Sequence, residues 1–184
     1  MAGHYFVQYT DASIINQFCL PKNSFRSIDI GIRHMESEFL LETVQNLFCF
    51  PIFFVLEHTL SNRFENNLLE KKAQYIDDTL IVKAEDFETL VALCQAATEL
   101  TANGLSVFIF KGDGLTERDC LVSRTGNGLI EFPNLDLHLL ESFMEINEVG
   151  LTLFTKSKKF FTPVKLAQYI PSKYEMDREN SDIV

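Results

Sequence analysis

Three glutamates in the last third of the chain have the spacing that would place them on one face of a helix. Glu141, Glu145 and Glu148 stand at positions i, i+4 and i+7, and residues with this spacing lie above one another along a helix. We therefore predict a helix over 135–148 with an acidic face that no lysine compensates. This face is either solvated or a docking surface for Arg and Lys of a partner, and Asp136 of the same helix is assigned to that surface.

A second charged feature is basic and follows the first along the chain. Lys156, Lys158 and Lys159 lie in "TKSKK", which we predict to be the turn of a hairpin formed by "LTLFT" and "KFFTP". Lysines at a sheet edge discourage edge-to-edge aggregation. Alternatively, this turn makes a small contact with a phosphate or with an acidic partner.

Motifs for cofactors and metals do not match the sequence. In "KGDG" the lysine precedes the glycines, whereas a phosphate-binding loop places a lysine and a Ser or Thr after them. The third glycine of a dinucleotide fingerprint is also missing. None of the four histidines stands at zinc-ligand spacing from a cysteine or another histidine. We predict no cofactor and no metal site.

Catalytic residues are equally hard to assign. Asp77 and Asp78 precede a strand that ends at Lys83, but Ile81 stands where a metal-dependent nuclease would need a glutamate. The aspartates are more simply a turn that leads into the strand. An enzyme whose site is assembled from distant residues, such as Asp77, Asp78 and Cys49, remains a third hypothesis behind two non-catalytic ones.

The overall charge limits the kind of partner. The chain has 184 residues and a formal net charge of −10, which opposes general binding to nucleic-acid phosphates and suits a basic partner. Four scattered cysteines in a chain without a secretory leader predict reduced thiols in the cytoplasm. Phenylalanine is abundant, with 17 residues and no tryptophan. These rings are expected either in the core or in a partner-binding patch.

An apolar run, "LFCFPIFFVL", occupies residues 47–56. It is too short for a membrane-spanning helix, which needs about 20 apolar residues, and Pro51 would interrupt a helix. We predict that an amphipathic helix starting near Ser37 ends before the proline. The segment "IFFVLE" is then a buried strand.

The remaining pattern predicts the fold class. An apolar strand near 79, a helix capped by Asp86 and stopped by Asn103-Gly104, and an apolar strand over 105–111 form a βαβ unit (79–111) whose strands should be parallel. Hairpin signals follow at "RTGNG" and at the lysine turn. We predict an α/β fold, with α+β as an alternative: one domain over 1–174, a mixed sheet with two antiparallel hairpins and helices packed on it, and an acidic polar tail over 175–184. Further predicted elements are strands at 4–10 and 28–32, helices from Asp11 to Phe18, from Ser61 to Lys72 and at "PVKLAQYI", and Asn134 as the cap of the acidic helix.

The segment "VFIFKGDG…LVSRTGNGLIEFP" resembles the strand and hairpin found late in the ATPase heads of bacterial defence systems. Phe132-Pro133 stands where those heads often carry Trp-Pro. Both Walker motifs are absent, so the resemblance implies an accessory subunit of such an assembly, which would use its apolar surface, and not an ATPase. The charge favours a different hypothesis, a non-catalytic acidic protein, such as an immunity protein or inhibitor, that blocks a basic partner.

Overall fold

The computed structural model describes residues 3–11, 25–57, 66–138, 140–178 and 181. Nine strands form one mixed sheet in the order β11-β1-β2-β10-β9-β6-β3-β5-β4, and β7 and β8 form a separate two-stranded hairpin. Every neighbouring pair is antiparallel except β1 and β11, which are parallel. The strands are β1 (Gly3–Asp11), β2 (Arg26–Ile32), β3 (Ile52–Glu57), β4 (Ala73–Ile76), β5 (Thr79–Ala84), β6 (Val107–Lys111), β7 (Ser123–Arg124), β8 (Ile130–Glu131), β9 (Ser142–Asn147), β10 (Gly150–Thr155) and β11 (Tyr174–Met176).

Within the described residues, four helices pack against one face of this sheet. They are α1 (Ser37–Leu47), α2 (Asn67–Lys72), α3 (Phe87–Ala102) and α4 (Pro163–Leu166). Their buried side chains join those of the strands in one apolar core, so the predicted α/β fold, a mixed sheet with helices packed on it, is confirmed. Among the described residues, no helix is both long enough and apolar enough to cross a membrane.

The segment around Pro51 divides as predicted. Helix α1 ends at Leu47, the Phe50-Pro51 peptide is cis, and β3 begins at Ile52. Strand β3 is buried because it lies between β5 and β6 and has packed side chains on both of its faces. A strand covered on both faces is expected to be a continuous apolar run.

The predicted βαβ unit is correct in its elements and in the relative direction of its strands. The Asp86 side chain caps α3 by accepting a hydrogen bond from the backbone nitrogen of Thr89, and Gly104 follows the helix with φ +81°. However, β5 and β6 are not neighbours, because β3 pairs antiparallel with both and lies between them. The strand between them, β3, precedes the βαβ unit in sequence.

The predicted helix over 135–148 is wrong. Residues 142–147 form β9, a central strand that pairs with β10 on one side and with β6 on the other. Phe143 packs on one face of the sheet while Met144 and Ile146 pack on the other. Because β9 needs apolar residues on both of its faces, its sequence does not alternate strictly between apolar and polar residues. Its pattern therefore resembles that of a helix. Asn134 therefore caps no helix, and its side chain donates to the Arg118 carbonyl.

The hairpin predicted at the lysine turn is also wrong. Strand β10 pairs with the preceding β9, across the turn at Glu148 and Val149. The chain after β10 forms a short 3-10 turn over Lys158–Phe160, because Phe160 is drawn into the helix-side core with 2% of its surface exposed. The hairpin predicted at 120–132 is confirmed by the pairing of β7 with β8.

The predicted boundary between domain and tail lies inside a strand. Tyr174–Met176 form β11 at one edge of the sheet, and the backbone nitrogen of Asp177 donates to the Tyr5 carbonyl. The ring of Tyr174 packs edge-on against Phe39, with 4.6 Å between the ring centroids. This packing and the pairing with β1 explain why the polar sequence there still belongs to the domain.

Some of the other predicted elements lie within the described residues and can be compared with the structure. The strands predicted at 4–10 and 28–32 correspond to β1 and β2, and "PVKLAQYI" contains α4 with Pro163 in its first turn. Helix α2 begins only after Asn66, whose side chain accepts from the Leu68 and Leu69 nitrogens. The predicted start of this helix at Ser61 and the predicted helix from Asp11 to Phe18 lie outside the described residues.

Candidate functional site

The second face of the sheet, opposite the helices, is apolar at one end and polar at the other. Over β10, β9, β6 and β3, four phenylalanines stand directly opposite one another as a phenylalanine row. The chain between β6 and β9 covers this row with apolar side chains and forms a second core with it. The members of the row are Phe154, Phe143, Phe110 and Phe53.

Toward β1 and β2 the same face carries a polar row instead. Gln8 lies opposite Asp29, Asp29 lies opposite Thr152, and Thr152 lies opposite Glu145. Residues directly opposite one another on antiparallel strands point to the same face. The polar row therefore places two carboxyl groups, from Asp29 and Glu145, on either side of one threonine.

Asp29 is held in place by that threonine. The Thr152 hydroxyl donates a hydrogen bond of 2.8 Å to Oδ1 of Asp29. Thr152 is buried, with 8% of its surface exposed, while Asp29 is half-buried. The hydrogen bond between neighbouring strands gives the carboxylate a fixed position beside solvent.

Glu145 is a buried acid. It is 3% exposed, and its Oε1 accepts a hydrogen bond of 2.7 Å from the Ser106 hydroxyl. Burial raises the pKa of Glu145 above its ordinary value, the Ser106 hydrogen bond lowers it, and the nearby Asp29 carboxylate raises it. Ser106 therefore supplies a hydrogen bond to a carboxyl group that is otherwise removed from water.

An open groove of about 220 Å³ lies beside the polar row. Among the described residues that line it, Asp29 is the single ionisable one, and no lysine, arginine or histidine is present. The groove is open to solvent at Gln8 and Val149, which are exposed. The described residues that line this polar groove are Phe6, Gln8, Asp29, Ile30, Gly31, Asn147, Val149, Gly150, Leu151 and Thr152.

At two glycines that line the polar groove, Gly31 and Gly150, neighbouring atoms lie where a Cβ would be. A Cβ at Gly31 would lie 2.0 Å from the Phe6 ring, so the ring rests directly on the β2 backbone. A Cβ at Gly150, which has φ +154°, would lie 2.3 Å from the Ile30 carbonyl oxygen. These two positions accommodate only glycine without rearrangement.

The polar groove combines an aromatic ring, amide groups and negative charge. Such a site can bind a cation by hydrogen bonds from the ligand to carboxylate oxygens and by contact with the ring of Phe6. Among the described lining residues Asp29 supplies the one carboxyl group, and among the described residues no three His, Cys, Asp or Glu side chains converge as metal ligands. A polar or charged group of a partner suits the groove better.

The glutamates predicted to share one helix face do not form one surface. Glu141 precedes β9 and is exposed, Glu145 is buried in β9, and Glu148 is exposed in the turn that follows. Asp136 lies in an earlier turn, where its Oδ1 accepts from the His138 nitrogen. The shared helix face predicted from the spacing is therefore wrong, whereas the partner-binding role assigned to these residues stays a prediction, and Glu145 belongs to the polar row.

The three lysines predicted to form a basic contact do not share one role either. Lys156 donates to the carbonyl oxygens of Leu137 and His138, and its amine also lies 4.6 Å from the Phe25 ring centroid. Lys158 and Lys159 are exposed on the 3-10 turn. Lys156 thus fastens the loop before β9 and is not displayed on a hairpin tip.

The residues named for the enzyme hypothesis do not converge. Asp77 and Asp78 form the exposed turn between β4 and β5, as predicted, with Asp77 at φ +49°. Cys49 is exposed as a free thiol at the end of α1. Cys94 and Cys120 are free and buried, and burial raises the pKa of each thiol to about 12, so both are unreactive side chains of the core.

The polar row has a sequence signal in the strand predicted at 28–32. In "RSIDIGI", Ser27, Asp29 and Gly31 alternate with three isoleucines, which is the pattern of a strand with one apolar face and one polar face. That alternation predicts Asp29 on the polar face. It does not predict the neighbours of Asp29, because Thr152 and Glu145 arrive from strands more than a hundred residues away.

Comparisons with known proteins add no assignment to this geometry. No protein-family model, no curated protein and no solved structure matches the chain.

Proposed function

We propose that this chain is a non-catalytic binding protein that recognises a basic partner protein, as an immunity protein or inhibitor does. The observation that carries the proposal is the polar groove, where the half-buried carboxylate of Asp29 lies beside solvent and no lining residue among those described is cationic. A surface of this kind attracts a positively charged patch and sets its orientation.

The distribution of charge over the molecule supports the same function. Five described lysines and arginines already form ion pairs with carboxylates, such as Arg124 with Glu57 at 2.7 Å and Lys111 with Asp113 at 2.6 Å. The chain as a whole still carries −10. An excess of negative charge accelerates association with a basic protein and makes this association sensitive to salt.

The accessory-subunit hypothesis has less support, because it requires exposed phenylalanines. Among the described phenylalanines only Phe50 and Phe87 are exposed, at 40% and 53%. The free buried thiols of Cys94 and Cys120 fit the cytoplasmic location that we propose for this binding protein.

The experiment captures partners from a lysate of the source organism on the immobilised chain, purifies each one and measures its dissociation constant. Wild type is compared with Asp29→Asn, which keeps the shape of the side chain, and with Glu99→Gln, an exposed acid on α3 away from the groove. We expect a partner with a basic surface, a dissociation constant that rises about tenfold in Asp29→Asn, and no change in Glu99→Gln. A partner without excess positive charge, or one that Asp29→Asn binds as tightly as wild type, contradicts the proposal.

A further inference from the structure

We propose that a basic patch beside the end of β10 binds a phosphate monoester group. The patch consists of four exposed cationic residues, Arg26, Lys158, Lys159 and Lys165. It lies on the helix side of the sheet, next to the core residues Phe160 and Leu166, whereas the polar groove lies on the opposite face. The patch is therefore a second site, independent of the partner contact proposed above.

Aromatic rings hold two of these cations at neighbouring points of the surface. The Cζ atom of Arg26 lies 4.2 Å from the centroid of the Phe161 ring. The Nζ atom of Lys159 lies 4.6 Å from the centroid of the Phe160 ring. Because the two rings belong to consecutive residues, the guanidinium and the ammonium approach the same short turn. These contacts restrict both side chains before a ligand arrives, which lowers the entropy cost of binding.

The other two cations belong to the same turn and to the helix that follows it. Lys158 begins the 3-10 turn, and its carbonyl oxygen accepts a hydrogen bond of 3.3 Å from the backbone nitrogen of Phe161. Lys165 lies in α4, where its backbone nitrogen donates to the hydroxyl of the capping residue Thr162. The patch therefore combines cations from β2, the 3-10 turn and α4.

The patch concentrates positive charge in an acidic chain. No Asp or Glu occurs between Leu151 and Tyr174, and the five ion pairs found among the described residues involve other cations. Asp11 stands opposite Arg26 in the register of β1 and β2, and this one acid can balance only one of the four cations. The patch therefore keeps a positive charge that suits an anionic ligand.

The small extent of the patch favours a compact anion. A phosphate monoester carries about −1.5 to −2 at pH 7 and has three strong acceptor oxygens. An acidic peptide needs several residues to carry the same charge, so it would extend beyond the patch over a molecule of net charge −10. Like charges repel over roughly 8 Å at physiological ionic strength. A single phosphate avoids this repulsion and accepts charge-assisted hydrogen bonds from a guanidinium and an ammonium together.

The test titrates the full chain with a blocked phosphoserine tripeptide and follows backbone amide shifts by NMR. The matched peptides contain serine, which has no charge, and aspartate, which has a single charge. Inorganic phosphate is the fourth probe. The variants are Arg26→Gln and Lys159→Gln, with Lys71→Gln as the control, because Lys71 is an exposed lysine on α2, next to the far edge of the sheet.

We expect the phosphoserine peptide to shift the amides of Arg26, Lys158, Lys159 and Phe161. Its dissociation constant should rise about threefold or more in Arg26→Gln and in Lys159→Gln, as expected for the loss of an exposed charge contact. The serine peptide should cause no shift, the aspartate peptide should bind more weakly, and Lys71→Gln should bind like wild type. The absence of a shift, shifts confined to other residues, equal binding of the aspartate peptide, or an equal loss in Lys71→Gln overturns the proposal.

Inorganic phosphate distinguishes two sources of the same group. Equal binding of inorganic phosphate and the phosphoserine peptide supports a small phosphate compound as the ligand, whereas tighter binding of the peptide supports a phosphorylated protein.

Failure of this second site differs from failure of the proposed function. Asp29→Asn should leave the affinity for the phosphoserine peptide unchanged, because Asp29 lines the groove on the opposite face. If a captured basic partner depends on Asp29 while the phosphoserine peptide does not bind, the phosphate site is wrong and the proposed function stands. If the peptide binds at the basic patch while no basic partner depends on Asp29, the reverse holds.

Discussion

Thr152 and Asp29 stand directly opposite each other on two neighbouring strands, and the threonine hydroxyl donates a hydrogen bond of 2.8 Å to the carboxylate. The donor is buried and the acceptor reaches the polar groove. One hydrogen bond therefore contributes to stability and also fixes the group that we expect to meet the partner.

Replacing Thr152 by valine separates these two roles. Thr152→Val keeps the β-branched shape and removes the donor, so we expect the free energy of unfolding to fall by about 1.5–3 kcal/mol, the range for a hydrogen bond to a charged group. Urea denaturation measures the change. Thr98→Val is the control, because the Thr98 hydroxyl donates only to a carbonyl of its own helix, and equal losses in the two variants would show that the bond to Asp29 has no special weight.

The buried acid Glu145 predicts a pH dependence of stability. Burial, opposed by the Ser106 hydrogen bond and assisted by Asp29, raises its pKa in the folded chain above the ordinary value of 4.5. The folded state then binds more protons than the unfolded state, and the free energy of unfolding falls as pH rises above 4.5 toward and through the raised pKa. Below 4.5 this group causes no loss.

Glu145→Gln removes this titration and retains an oxygen for the Ser106 hydroxyl. We expect the variant to melt at a higher temperature than wild type near neutral pH, and the advantage to disappear below pH 4.5. Thermal denaturation over a pH series measures both. A variant that is less stable than wild type near neutral pH would show that the ionised carboxylate stabilises the fold, contrary to the expectation.

The phenylalanine row predicts the largest loss of stability. Phe143 is fully buried and stacks on Phe154 with 4.6 Å between centroids and on Phe110 with 5.6 Å. Phe143→Ala leaves a cavity in the middle of the row, so we expect a loss of about 3–5 kcal/mol, or about 2–4 °C in melting temperature for each kcal/mol in a chain of this size.

Two further variants keep this prediction testable. Phe143→Leu retains most of the volume and should cost less than about 1.5 kcal/mol, so it reports the effect even if the alanine variant does not fold. Phe87→Ala removes a ring that is 53% exposed and should change stability by less than about 0.5 kcal/mol. A comparable loss at Phe87 would contradict the assignment of the row as the core of the second face.

The sequence predicts elements well wherever one physical requirement acts at a time. Helix α3 has a capping aspartate, an apolar face and a terminal glycine, and each signal is local. Strand β2 is equally clear, because its isoleucines alternate with small or polar residues. Local signals of this kind require no knowledge of the rest of the chain.

Prediction fails where two requirements overlap. Strand β9 must place Phe143 on one face, Met144 and Ile146 on the other, and Glu145 next to Ser106. Its sequence therefore lacks strict alternation, and the glutamate spacing resembles a helix face. The polar groove cannot be predicted from local pattern at all, since its register depends on how β1, β2, β10 and β9 align.

Gly31 tests whether the position of Phe6 depends on the bare backbone below it. A Cβ at Gly31 would meet the far end of the Phe6 ring at 2.0 Å, so in Gly31→Ala the ring must turn away toward solvent. Phe6 is only half-buried, so its ring has room to turn. The loss of stability should therefore lie at the lower end of the roughly 1–3 kcal/mol that overpacking costs. We expect a loss of about 1 kcal/mol in urea denaturation.

The double variant Phe6→Leu, Gly31→Ala distinguishes this steric effect from a general intolerance of the strand. The leucine side chain is smaller and more adaptable, so the alanine should cost less in the Phe6→Leu background than in wild type, with a coupling of at least about 0.5 kcal/mol for residues in contact. Additive losses would mean that the ring does not rest on Gly31.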